Sequence, residues 1–345
     1  MHTFHDHLIP KDRFLISSDA CSKMIEQGAM GYYLLSTSET LPESTTAAQP
    51  QLPDEIENLL HQFQDIFQAP TGLSPQRDCD HHIPLIPGAK PPNIRPYRMS
   101  HSQKDVVESL IKEMLKNSEI RPSHSPFSSP IILVRKKDKS WRFCIDFRGL
   151  NDLTVKNKFP ILVIEDLLDE LQGATIFSKF DLRSGYHQIR MKEEYIPKTA
   201  FSTHLGPYEF MVMPFGLCNA PATFQALMNK LFSKYLRQFV LVFFDAILVY
   251  SKSLAEHKQH LQLVMKILRV YNLKAKLSKC TFGQPLMEYL GHVISGSGVQ
   301  TDPSKIQAIA NWKTPLTIKQ LKGFLGFTGY YRRYISQYAI ICQPL

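Results

Sequence analysis

Residues 239–251 read FVLVFFDAILVYS, two β-rich apolar runs with one acid between them. Val240, Val242 and Phe244 precede Asp245, while Ile247 and Val249 follow Ala246, so the acid sits at or near a tight hairpin. This commits the chain to at least one antiparallel pair of strands and leaves a carboxylate at their junction. On its own Asp245 reads as a turn aspartate, because Asp is a favoured turn residue.

Metal-ion chemistry needs carboxylates that converge, often from distant strands. Asp181, in SKFDLRSGYHQIRM, closes the apolar run TIFSKF and is followed by a turn containing Gly185. It lies 64 positions before Asp245, with a helix-like segment between. If the two strands are neighbours in one antiparallel sheet, both carboxylates reach one edge. Carboxylate and water ligands suit Mg²⁺ or Mn²⁺. Spacing alone leaves the alternative of two unrelated turn aspartates open.

Charge points to a polyanionic partner. The 345 residues carry a formal +9, unevenly spread: residues 1–100 hold 7 Lys and Arg against 12 Asp and Glu, and the remainder holds 33 against 19. A body with +14 favours nucleic acid, although a merely soluble basic surface has the same composition. The six cysteines (Cys21, Cys79, Cys144, Cys218, Cys280, Cys342) stand far apart without a CxxC pair. That argues against a zinc knuckle or disulfide framework and for thiols in a reducing compartment. No run of 18 apolar residues exists, and MHTFHDHLIPKDR has no signal-peptide core. An intracellular location, cytoplasmic or nuclear and without membrane partners, is expected.

Along the chain, residues 1–52 read as an extension, poorly ordered as a whole. KMIEQGAMGYYLLS gives at most a short helix and strand, and STSETLPESTTAAQPQLP is a polar linker. Ile56, Leu59, Leu60, Phe63 and Ile66 have helical spacing, and residues 69–99, rich in proline, are expected to be extended. A helix follows through SHSQKDVVESLIKEMLKNSEIRPS, with Ser102 and Asp105 as its capping box, Val106, Val107, Leu110, Ile111, Met114 and Leu115 as its apolar face, and Pro122 ending the region. PIILVRKKDKSWRFCIDF predicts two strands joined by a basic turn. Helices are predicted through VIEDLLDELQ, PATFQALMNKLFSKYL, LAEHKQHLQLVMKILRVY, DPSKIQAIANW and TIKQLKGFLGFTGYYRRYI, strands through TIFSKFDL and both arms of residues 239–251, and a hairpin near EYLGHVIS. Helices and strands do not alternate regularly, which indicates α+β.

Seven stretches arrive in a recognisable order: RPYRMS, SPIILVRKKDKSWRFCIDFRGLN, FSKFDLRSGYHQIRM, KTAFSTHLGPYEFMVMPFGLCNAPATFQ, VFFDAILVYS, KCTFGQPLMEYLGHVIS and LKGFLGFTGYYRRYI. In these the chain, from about Pro53 to its C-terminus, resembles reverse transcriptases of Ty3/gypsy-type long-terminal-repeat retrotransposons, plant copies especially. The resemblance implies a right-hand polymerase with fingers, a ferredoxin-like palm and a thumb. It assigns 53–100 to an extended segment before the fingers, 101–295 to fingers and palm, and 296–345 to the thumb and the start of the connection. The implied reaction is template-directed addition of a deoxynucleotide to a primer 3′-hydroxyl on two divalent ions, Mg²⁺ or Mn²⁺, with a primer–template nucleic acid (RNA/DNA or DNA/DNA) and a deoxynucleoside triphosphate as partners.

By the same resemblance Asp181 and Asp245 are the metal ligands. Lys136 and Arg142 contact the triphosphate from the fingers hairpin that also carries Lys137. Tyr186 packs beneath the incoming sugar, Phe215 and Gly216 support the nucleotide, and Leu290-Gly291-His292 grips the primer end, Leu290 and Gly291 in particular. Taken alone these are a basic turn, a core tyrosine, a PFG turn and a strand turn.

The departures are specific. The family motif is an aromatic, any residue and two adjacent aspartates; here it is Phe243-Phe244-Asp245-Ala246, and one carboxylate is missing. Apart from Asp245, no acid stands within five residues of Ala246. Arginines common in the family near Ser202 and His204 are absent, and Leu162 and Val163 replace a Pro-x-Pro-Arg-like run. No D-[ST]-G protease signature or integrase-like His/Cys cluster is found, so a piece of a polyprotein is expected. The implied function is a polymerase impaired at its metal site; the alternative is an inactive nucleic-acid-binding relic of a mobile element.

Overall fold

The computed structural model describes residues 52–70, 72–135, 141–159 and 164–343. The N-terminal extension, the basic turn with Lys136 and Lys137, and Leu162 and Val163 lie outside the described residues. Among the described residues the mixture is α+β, as its sequence pattern predicts.

Helix α1 (Asp54–Gln62) leads into a 3₁₀ turn (Gln64–Phe67), and the periodic set Ile56, Leu59, Phe63 and Ile66 is buried with them. The proline-rich stretch is extended, touching the body through isolated bridges at His81, Leu85 and Asn93. Arg77 pins it further, its guanidinium donating to the Gln188 carbonyl at 2.6 Å and the Tyr271 carbonyl at 2.7 Å.

Helix α2 (His101–Lys116) is capped two residues earlier than its pattern suggests. Ser100, not Ser102, accepts from the Gln103 amide, and Gln103 Oε1 accepts from the Ser100 amide at 2.9 Å. The extended Arg-Pro segment leaves Ser100 in β geometry, which a cap requires, and Asp105 turns to His101 instead.

Strands β1 (Ile120–Pro122), β2 (Ser129–Arg135), β3 (Trp141–Ile145), β5 (Phe201–Thr203) and β6 (Gly206–Phe210) form a sheet ordered β1-β6-β5-β2-β3, with β2 and β5 parallel and the other pairs antiparallel. Short strands β1, β5 and β6 carry too few residues for an alternation to show, and the sequence pattern did not single them out. After β3 come α3 (Arg148–Leu153) and α4 (Ile164–Asp169).

The second sheet holds the acids. Its order is β7-β8-β4-β9, from β4 (Ile176–Asp181), β7 (Val240–Phe243), β8 (Ala246–Ser251) and β9 (Thr281–Gln284), all antiparallel. The near-unbroken apolar run of 239–250 follows from its place: Val240 to Val242 and Ile247 to Tyr250 are buried. Helix α5 (Ala220–Phe232) packs on β7 through Phe224, Leu227, Met228 and Phe232, and α6 (Leu254–Val270) packs on β8 and β4 through Leu261, Val264, Met265 and Leu268. Strands β10 (Leu286–Tyr289), β11 (His292–Ser295) and β12 (Gly298–Thr301) follow in a three-stranded sheet of that order.

The chain divides into two compact units. Residues 52–287 with 294–298 make the larger. In the smaller, the described residues are 288–293 and 299–343, with helices α7 (Pro303–Ala310), α8 (Ile318–Tyr330) and α9 (Tyr338–Cys342). Asp302 and Thr317 cap α7 and α8, and Trp312 stacks on Phe327 at 5.5 Å.

Candidate active site

Asp181 ends β4 and Ala246 begins β8, and the two are directly paired across the sheet. Opposed residues of an antiparallel pair project to the same face, so the missing carboxylate belongs beside Asp181. Asp245 occupies the turn next door. Phe243 pairs with Ala246, leaving Phe244 and Asp245 as a two-residue loop, and the Asp245 carbonyl accepts from the Leu182 amide at 3.2 Å. Thus the spacing-based expectation of two acids at one sheet edge describes the molecule.

That loop is strained. Phe244 has φ +52°, a left-handed conformation that a bulky side chain rarely adopts. Gln225 on α5 supplies the compensation: its Oε1 accepts from the Phe244 amide at 3.1 Å, while Nε2 donates to the Val242 carbonyl at 3.1 Å and to Asn229 Oδ1 at 2.9 Å. Replacing buried Gln225 by Leu strands the Phe244 amide and is expected to lower unfolding stability by about 1–3 kcal/mol in urea titrations. An unchanged midpoint would mean that the loop holds its own shape.

The turn after Asp181 is seated by Gln188. Its Nε2 donates to the Arg183 and Lys274 carbonyls at 2.7 and 2.8 Å, and its Oε1 accepts from the Lys274 amide at 2.7 Å. Gly185 follows because the turn presses against α5: a Cβ there would stand 3.1 Å from the Phe224 ring and 3.5 Å from Asp245 Cβ.

Lys279, from the 3₁₀ turn Leu277–Lys279, places Nζ 3.5 Å from Asp181 Oδ1. Solvent reaches Asp245, yet enough protein surrounds it that desolvation is the largest influence on its carboxyl and raises its pKa. A backbone hydrogen bond opposes this, the Asp181 charge reinforces it, and Lys279 lowers it. The two carboxylates therefore share one field, with a lysine already in it.

Tyr186 and Phe215 come together as a stacked pair, centroids 4.8 Å apart and planes at 26°. Burial, with the Asp245 charge second, pushes the Tyr186 phenol up to about 12, so it stays protonated. Phe215 is 49% exposed and Tyr186 half-buried, which leaves an aromatic surface beside the acids. Gly216 has φ +98°, and its carbonyl accepts from Asn151 Nδ2 at 2.8 Å while Asn151 Oδ1 accepts from the Cys218 amide at 2.9 Å. Asn151 thereby staples the Phe215–Cys218 loop.

Arg142 stands exposed on β3, opposite Val134, in the other sheet. Leu290 and Gly291 lie in the smaller unit. Ser202 Oγ pairs with Ser128 Oγ at 2.7 Å, and His204 Nε2 meets Glu108 Oε1 at 3.1 Å. Gln225, Asn151 and Lys279 were not singled out in the sequence. Each sits within a quoted motif, but a lone neutral amide or lysine has no spacing that marks it.

The donor set suits a hard divalent cation, two carboxylates with solvent access, yet it is short. Among the described residues no three or more His, Cys, Asp or Glu side chains converge on a common metal position.

The family described as reverse transcriptase (RNA-dependent DNA polymerase) matches residues 134–294. The retrovirus-related Pol polyprotein from transposon 297 of Drosophila melanogaster is 41% identical over 72% of this chain, and that from transposon gypsy is 35% identical over 73%. The chain belongs to the Ty3/gypsy-type reverse transcriptases. The transposon Tf2-3 polyprotein of Schizosaccharomyces pombe is 32% identical over 88% of the chain. The chain spans only 24%, 25% and 23% of these three relatives. The foamy viral protease-reverse transcriptase, solved with an RNA/DNA hybrid, superposes with a TM-score of 0.73 at 23% identity, over 84% of this chain and 39% of its own. A second structure of it, with double-stranded DNA, gives 0.76 over 85% and 52%. The fold is that of the reverse transcriptases. Among the described residues, no helix is long and apolar enough to cross a membrane.

Proposed function

We propose that this chain is the RNA-directed DNA polymerase part of a retrotransposon polyprotein, impaired by Ala246. The observation that carries the proposal is the meeting of Asp181 and Asp245 at one sheet edge with Ala246 directly opposite Asp181. Asp181 and Asp245 would hold the divalent cation, Mg²⁺ or Mn²⁺. When bound, such an ion favours ionisation of the primer 3′-hydroxyl and offsets the triphosphate charge. The hydroxyl oxygen bonds to the α-phosphorus, the bond from that phosphorus to the bridging oxygen breaks, and pyrophosphate leaves while the hydroxyl proton passes to solvent.

The chain's own groups do the placing. Tyr186, braced by Phe215, forms a floor for the sugar and leaves no room for a 2′-hydroxyl. The Phe215–Gly216 loop supports the nucleotide, Arg142 and Lys136 meet the triphosphate as cations, and Leu290–Gly291 contacts the primer end. With three acids reduced to two, and Lys279 on one of them, the site suits one ion better than two.

A second reading is favoured by that same shortage: a protein that binds primer–template through its basic body without extending it. Both readings share duplex binding, and the foamy viral relative was solved with RNA/DNA and DNA duplexes. Binding is expected to fall by roughly 10³ or more between 50 and 200 mM salt if six or more phosphates are contacted. Affinity insensitive to salt would overturn both. Primer extension with Mg²⁺ and with Mn²⁺ then separates them: slow extension supports the impaired enzyme, and none with binding intact supports the second.

A further inference from the structure

The motif LKGFLGFTGYYRRYI has no role in the site above, yet two of its tyrosines end on one backbone turn. Leu290 and Gly291, between β10 and β11, both have left-handed backbones, φ +50° and +76°. For leucine that conformation is strained, so the turn needs an outside hold. Two phenols provide one. Tyr330 Oη donates to the Leu290 carbonyl at 2.6 Å, and Tyr331 Oη donates to the Gly291 carbonyl at 3.2 Å. The Asp302 amide also reaches the Gly291 carbonyl, at 3.3 Å.

The donors are themselves fixed. Tyr331 is 3% exposed, and its ring meets Tyr330 edge-on at 4.8 Å. The His292 ring lies 5.5 Å from each of Tyr330, Tyr331 and Tyr334. Burial, then the charge of Asp302 and the neighbouring Tyr334, raises the Tyr331 pKa, which keeps its hydroxyl a donor. The fit is close: a Cβ on Gly291 would come 2.9 Å from Tyr331 Oη. All these residues belong to the smaller unit.

We propose that Tyr330 and Tyr331 are positioning residues that clamp the Leu290–Gly291 turn and thereby fix where the primer terminus rests. The second half rests on the primer-contact reading of that turn. Both carbonyls are turned toward the tyrosines, so the turn presents a set face. Its geometry is transmitted through two hydrogen bonds rather than through bulk.

Tyr330→Phe and Tyr331→Phe remove only the hydroxyls. Hydrogen exchange of the 290–292 amides in the free protein is expected to quicken by about tenfold in the double variant. Unchanged exchange there overturns the clamp. If the double variant does not fold, Tyr330→Phe alone, at a partly exposed ring, gives the same readout. With duplex added, 2-aminopurine at the primer 3′ end should change its fluorescence in the variants, while an internal 2-aminopurine and the overall Kd stay within about twofold. Faster exchange with an unchanged terminal signal overturns the primer half. A parent protein that binds no duplex overturns the primer half together with the function proposed above, and the exchange result still decides the clamp.

Discussion

Ala246→Asp should raise primer extension by about 10²–10⁴-fold while leaving duplex affinity nearly unchanged. Position 246 is paired with Asp181 across adjacent strands, so the new Cβ–Cγ bond starts about 4.5–5.5 Å from its Cβ on the same face. Ala246 is half-buried at the head of β8, and the carboxylate adds little volume at that edge. Three acids then crowd one corner. Their repulsion raises the pKa of the newcomer in the free protein, Lys279 offsets part of it, and a divalent ion reverses it. The gain is concentrated in the transition state, where charge develops on the primer oxygen, and so appears in kcat rather than in binding. Measurement is by single-turnover extension with Mg²⁺ and Mn²⁺ on parent and variant. A variant as inert as the parent would place the damage elsewhere, with Ser202 and His204 the first positions to examine.

Acidification from pH 7 to 4.5 should destabilise the larger unit steeply, chiefly through two buried histidines. His257 is fully buried between sheet and helix, with Nε2 2.6 Å from Ser178 Oγ and Nδ1 2.9 Å from Ser251 Oγ. Burial, then the neighbouring His260, lowers its pKa to about 4, and burial, then His82, lowers that of His81 to about 3. Both are neutral in the native state. The unfolded chain takes up their protons first, near pH 6.5, so the stability they contribute is complete above that value and is lost as pH falls toward the folded values. Two such groups give a slope of up to about 2.7 kcal/mol per pH unit, enough over two units to consume much of a domain's usual 5–15 kcal/mol. Asp80 and Asp245, whose pKa values are raised by burial, act in the opposite sense, above the ordinary carboxylate range. Asp146, held down by Arg148, adds its loss only below the ordinary carboxylate range. Urea midpoints from pH 7.5 to 4.5 test this, with His81→Gln and His257→Gln each expected to remove about half the slope. A midpoint flat across that window would show that these rings are already protonated or easily hydrated in the native state.

Element types were readable wherever the local pattern was long. Helices α1, α2 and α6 follow from periodicity, because burial of a helix stripe imposes a repeat on the residues themselves. Both arms of the 239–251 hairpin follow from an unbroken β-rich apolar run, because a strand buried on both faces has no polar side to alternate with. Boundaries depended on finer balances. The α2 cap moved to Ser100 because capping requires a β-region backbone as well as a hydroxyl, and only the structure shows which serine has it.

The candidate site divides in the same manner. Asp181, Asp245, the gap at Ala246 and the order of the seven motifs stand in the sequence, since a lone carboxylate amid apolar residues is conspicuous and the family pattern names its missing neighbour. The pairing of Asp181 with Ala246, the Lys279 ammonium on Asp181, the Gln225 brace under Phe244, the Tyr186–Phe215 stack and the tyrosines on Leu290–Gly291 were decided by tertiary structure alone. Those contacts join residues 98, 19 and 40 positions apart for Lys279–Asp181, Gln225–Phe244 and Tyr330–Leu290. A hydrogen bond or ion pair needs one suitable partner within about 3.5 Å and imposes no repeat on either segment, so nothing local announces it until the sheets and helices have closed.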